Sequence, residues 1–285
     1  HPRSDQLLLD SIAILIEHGF LVDEDPEVLI ELSEGIGIVP IRESAIAYII
    51  RNLTAIGVEK KSRDFLQRGI GLASNIKGQN TRSEALFAVI EAASLLAVRQ
   101  SDLDLLRRMR SWSTSLLEKE YATSAIGKIV QGMIHYARTE KTPYALDEAV
   151  RLLEMIDDPT LQQQLMERVI EAYIQVGCLR LDESIAYQSP DFSDEVRPFR
   201  QALDLIRKHT EPSKVSLRIA GAIDIVLHYA EQSGAVTFFV PLTLFSLEID
   251  NPLERDAMIS RIATGLREIV ELLDSTDPYE VLAYL

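Results

Sequence analysis

Ala45-Ile46-Ala47-Tyr48-Ile49-Ile50-Arg51-Asn52-Leu53-Thr54-Ala55-Ile56-Gly57 places its apolar residues at helical spacing, and the pattern returns along the chain. A step of 40 residues from Ala45 meets Ala85, Ala125 and Leu165, and the same step from Ile49 meets Val89, Ile129 and Val169. From Ile50 it meets Ile90, Val130 and Ile170, and from Gly57 it meets Ala97, Ala137 and Gly177. Four columns thus keep their character through four copies, and the last holds only Gly or Ala. A small residue near a helix end lets the next helix approach closely, which gives that column a physical cause. Upstream, a step of 38 carries the frame to Leu7, Leu8, Ile12, Leu15 and Gly19. Downstream the frame breaks after Gly177 and is expected to resume about 52 residues on at Leu217, then at Ala257.

The punctuation around these columns is helical. Six of the 11 prolines follow a residue that caps helices well, namely Asp25, Thr142, Asp158, Ser189, Asn251 and Asp277. The spacing predicts helices over 4–18, 26–35, 41–56, 60–76, 81–98, 101–119, 121–138, 143–156, 159–176, 195–209, 212–231, 241–249, 252–273 and 278–284. Val236-Thr237-Phe238-Phe239-Val240 has strand propensity and reads as an extended lead-in to a short helix. Segment 178–212 holds about 12 residues more than the frame allows. It is expected to form a short helix, then an exposed loop, then an extended helix.

The columns fall on the second helix of each of about seven helix pairs. A pair cannot bury its apolar stripe alone, so neighbours must stack. The chain therefore resembles the α-solenoid superfamily of helical-hairpin repeats, with a period near that of HEAT-type repeats and longer than the tetratricopeptide one. The resemblance implies an all-α, right-handed α-solenoid running as a single repeat domain over 1–285, with an insertion in the frame around 178–212. It carries over no functional residue. It does imply that the second helices line a concave side.

Composition narrows the function classes. With 29 basic and 44 acidic residues the net charge is −15, and cutting at residues 100 and 200 leaves −4, −5 and −6. No basic half is hidden, which argues against nucleic-acid binding. The single cysteine, Cys178, excludes an internal disulfide framework and suits a cytoplasmic protein. No run of 18 apolar residues offers a membrane span. The motifs of phosphate and dinucleotide loops do not occur, nor does His-Glu-x-x-His, so no catalytic residue, cofactor or metal is expected.

What remains is surface. The densest cationic patch, Arg107, Arg108 and Arg110, stands beside the only tryptophan, Trp112, with Asp104 placed to pair with Arg108. Stepping by 40 through the non-column positions of the second helices gives Arg51, Glu91, Gln131 and Glu171, and also Tyr48, Ala88, Lys128 and Arg168. His135-Tyr136-Ala137 and His228-Tyr229-Ala230 recur near two helix ends. The expectation is a non-enzymatic scaffold or adaptor binding a protein or peptide through Tyr48, Arg51, Arg107, Arg108, Arg110, Trp112, Lys128, Gln131, His135 and Arg168. The alternative is a helical enzyme or small-ligand receptor with a pocket between hairpins lined by His135, Tyr136 and His228.

Overall fold

A computed structural model of the chain describes residues 2–18, 26–116, 118–187, 193–234 and 236–272. Among them the fold is all-α, and no strand occurs. The helices are α1 (Pro2–Glu17), α2 (Glu27–Glu34), α3 (Val39–Glu59), α4 (Arg63–Ser74), α5 (Gln79–Gln100), α6 (Leu103–Ser113) and α7 (Lys119–Thr139). They continue with α8 (Tyr144–Leu153), α9 (Pro159–Tyr187), α10 (Ser193–His209), α11 (Val215–Ser233), α12 (Phe239–Leu247) and α13 (Pro252–Leu272). From α2 to α9, short helices alternate with long ones. The expected helix over 278–284 lies outside the described residues, as do Gly19, Ser189-Pro190 and Asp277-Pro278.

The chain divides into two compact units, one of residues 1–136 with 151–158, the other of residues 137–150 with 159–285. In the first unit Ile12, Leu29, Ile36, Ala45, Ile49 and Leu53 form one fully buried cluster. The column residues Ala85, Val89, Ile90, Ala125, Ile129 and Val130 are buried as well. Between each short helix and the long one after it, an aliphatic residue plugs the turn. Ile36, Ile76, Leu116 and Ile156 are all buried there. Each donates its N–H to the carbonyl three residues back, at 3.1, 3.2, 3.2 and 3.1 Å.

The long helices end alike. Lys61, Ser101 and Lys141 each take positive φ, at 53°, 49° and 50°. The next residue donates its N–H to the carbonyl five back, from Ser62 to Gly57, Asp102 to Ala97 and Thr142 to Ala137. This is the six-to-one bond of a Schellman stop. The small column therefore sits where the chain folds back on itself. A Cβ built on Gly57 would lie 2.9 Å from Cβ of Phe65, in the first turn of the following helix.

Two long helices begin without a local side-chain cap and borrow one. Asp5 of α1, although buried, accepts from the Ile38 N–H at 3.0 Å. Glu43 of α3, also buried, accepts from the N–H groups of Lys77 and Gly78 at 2.8 and 3.1 Å. Glu43, near the start of α3, is thus a buried acceptor for the start of α5. Local caps serve elsewhere, with Asp102 accepting from Leu105 N–H and Asn251 from Leu253 N–H, both at 3.0 Å.

Three expectations need correction in the second unit. The extended stretch at Val236 is a 3-10 turn, Val236–Phe238, running into α12. Phe238 is fully buried, and Pro241 falls in the first helical turn, where its missing N–H costs no bond. In segment 178–212 a continuation of α9 replaces the expected short helix, and the expected loop falls on 188–192, outside the described residues. α9 runs unbroken to Tyr187, and α10 buries Val196, Phe199, Ala202, Leu203 and Ile206. The described part of the segment is thus almost wholly helical. Gly177 sits inside the helix with no room for a side chain, since a Cβ on it would come within 2.7 Å of the Phe199 ring, which packs over its bare backbone. Beyond it, Leu217 is 73% exposed and Ala257 is exposed. The buried face of α11 falls one position later than the 52-residue frame, on Ala222, Ile223, Val226 and Ala230, and α13 buries Ile262.

Candidate partner-binding surface

The second unit departs from the first at the fourth member of one buried column. In the first unit Ile50 and Ile90 are sealed at 0% exposure, and so is Val130. Ile170 of α9, the fourth of that column and predicted by it to be buried as they are, is only half-buried. It lies in the floor of a cleft of about 740 Å³ among α9, the end of α10 and α11. Ile174, Ile206, Ala222 and Ile225 complete an apolar floor. Gly221 opens the wall, because a Cβ on it would meet nothing within 4 Å. Leu217 stands at the mouth with its side chain largely in water.

The rim is charged and mostly self-neutralised. Glu167 pairs with Arg218, Glu211 with Lys214 at 2.7 Å, and Glu171 with Arg138 at 3.7 Å. The Lys214 hydrogen bond and charge hold the exposed Glu211 carboxyl below its ordinary pKa. Arg168 lines the same cleft and has no ion-pair partner among the described residues.

In the first unit, the expected residues of the long helices meet anions. Arg51 pairs with Glu84 of α5, and Lys128 of α7 with Glu91 of α5 at 2.7 Å. Both pairs bridge consecutive long helices, as Arg261–Asp224 does at 2.8 Å in the second unit. Arg51, Glu84 and Glu91 border a shallow groove with Phe87, Leu95 and Tyr121, whose Phe87 and Tyr121 rings stand 5.5 Å apart. Tyr48 is half-buried against the α1–α3 core, and Gln131 and His135 are exposed on α7.

Arg107, Arg108 and Arg110 are exposed on the short helix α6, and Trp112 is half-buried. Asp104 pairs with Arg107 at 3.2 Å rather than with Arg108. Both spacings lie on one helix face, so the sequence could not choose between them. Thus Arg51 and Lys128 lie on one surface, whereas the α6 cations belong to another element and Arg168 to the second unit's cleft. Sequence reasoning named Arg168 but missed the floor beneath it. Its signal was the broken frame after Gly177, which marks where the spacing between the starts of successive long helices changes.

His135, His228 and Cys178 do not line the cleft, whereas His209 does. His228 is exposed, with Nε2 3.0 Å from Gln232 Nε2, and borders a shallow depression with Asp224 and Arg261. Neither His135, Tyr136 nor His228 lines the cleft, so the pocket expected from them does not form there. Cys178 is buried, which pushes its thiol pKa well up, and Asp182 adds to the shift. Tyr229 is raised by burial first and by Cys178 second. Among the described residues no group of three or more His, Cys, Asp or Glu could hold a metal ion, and no helix is long and apolar enough to cross a membrane.

No family model matches the chain, and no curated protein does. Among solved structures it is similar to a chain described as "Computational Design of Self-Assembling Cyclic Protein Homooligomers". The two share 17% identity over 94% of this chain and 98% of that one, with a TM-score of 0.18. A TM-score this low assigns neither fold nor function.

Proposed function

We propose that the chain is a right-handed α-solenoid of helix pairs with a period of about 40 residues, serving in the cytoplasm as a non-enzymatic scaffold that binds a protein or peptide on its concave face. The repeat is supported by features that recur at the same interval. Long helices start at Val39, Gln79, Lys119 and Pro159, left-handed stops fall at Lys61, Ser101 and Lys141, and buried plugs stand at Ile36, Ile76, Leu116 and Ile156. One observation carries the binding role, the open cleft whose apolar floor is ringed by polar side chains. Such a floor gains by excluding water, while the rim fixes orientation. A pre-organised helical frame spends little entropy in holding a partner.

Affinity capture from native lysate, followed by mass spectrometry, tests this. Wild type should retain a protein at stoichiometric yield that a variant with Arg51, Lys128 and Arg168 all changed to Glu retains less. A small molecule co-purifying one to one, with no protein captured, would turn the assignment to a small-ligand receptor.

A further inference from the structure

We infer that the α9–α11 cleft receives an amphipathic helical segment of a partner protein, which lays an aliphatic side chain on Ile170 and sets a carboxylate against Arg168; this rests on the peptide-binding function proposed above. Three observations converge on that occupant. The first is the column itself. Ile50 and Ile90 are sealed within helix pairs, and Val130 is equally buried, whereas Ile170 in the same register is left half-open. The shape offered at Ile170 is therefore one that helices elsewhere in this chain fill.

Charge is the second. Every anion on the rim has its cation within the molecule, in Glu167–Arg218, Glu211–Lys214 and Glu171–Arg138. Arg168 is the cation left over, so a visiting anion is favoured and a visiting cation gains nothing. Its fork of donors suits a carboxylate in particular. Room is the third. About 740 Å³ falls within the roughly 300–1,000 Å³ of sites that bury a small ligand, enough for the buried face of a short helix. Bare Gly221 and exposed Leu217 keep the entrance open and apolar.

Gly221 also supplies a clean test. Gly221→Leu should plug the cleft without clash, and replacing a glycine inside a helix favours that helix. A phage-displayed library of helix-forming peptides is panned on wild-type protein. Enriched peptides should carry aliphatic residues at i and i+3 or i+4 together with Asp or Glu. As synthetic peptides they should lose about tenfold or more in affinity for Gly221→Leu and for Arg168→Glu. Changing the peptide's acid to Lys should restore binding to Arg168→Glu, a result that simple unfolding of the variant cannot give. Peptides that bind Gly221→Leu as tightly as wild type would overturn the cleft assignment and leave peptide binding itself standing. No enrichment over bare support would count against both.

Discussion

Gly57 and Gly221 are both helical glycines, and their surroundings demand opposite things. Beside Gly57 a Cβ would meet Phe65 at 2.9 Å and the Ser62 carbonyl at 3.2 Å, whereas beside Gly221 it meets open space. Gly57→Val should therefore cost about 1–3 kcal/mol by overpacking, and Gly221→Ala should gain about 0.5–1 kcal/mol from helix propensity. Urea melts of the two variants check the pair; equal shifts would contradict the contact geometry. Cys178 gives a pH signature. Its thiol is raised by burial above the ordinary value of 9.0, so the folded state keeps its proton where the unfolded state loses it. The contribution is whole below pH 9 and fades as pH rises beyond it. Stability measured from pH 7 to 10.5 should fall at the alkaline end, and Cys178→Ala should flatten that slope. Single residues were the least legible scale in the sequence. The small column announced itself as Gly or Ala, but only the Phe65 contact shows why Gly57 tolerates nothing larger.

At the level of helices the sequence was far more legible, because 3.6-residue periodicity and proline placement depend on local chemistry. The helix expected over 159–176 begins at Pro159 and ends at Tyr187, eleven residues late, since nothing in Gly177-Cys178-Leu179-Arg180 stops a helix. A break in the expected spacing of apolar residues does not tell whether the residues there form loop or helix. The borrowed caps were also out of reach, because they link residues more than 30 apart. Removing one should be costly. Glu43→Ala leaves the Lys77 and Gly78 amides facing a buried space, a loss of about 1–3 kcal/mol, while Glu43→Gln keeps an acceptor and should lose less. Thermal melts of both variants test this order, and equal losses would mean that the carboxylate acts only by filling space.

Across the whole molecule the net charge of −15 conceals local neutrality, since pairs such as Arg51–Glu84, Glu91–Lys128 and Asp224–Arg261 tie long helices together. Each is partly exposed and weak alone. Changing Arg51 and Lys128 to Glu sets like charges against Glu84 and Glu91, for a combined loss of about 1–2 kcal/mol. Arg168→Glu, breaking no pair, should leave the melt unchanged. If all three behaved alike in urea, the cross-helix pairs would have no part in stability.

The three left-handed stops have a consequence of another kind. Lys61, Ser101 and Lys141 all carry a side chain where only glycine is at ease. A left-handed L-residue is penalised by about 1–2 kcal/mol, and glycine gives back roughly 0.5–1 kcal/mol of that in unfolded-chain entropy. Each change to Gly should thus net about 0.5–1 kcal/mol, and the three should add, because they stand in separate turns. Differential scanning calorimetry would read the gain. The protein thus holds unspent headroom, far along the chain from Arg168 and Gly221, and a thermally hardened triple-glycine background could carry binding mutations that the natural sequence would not survive.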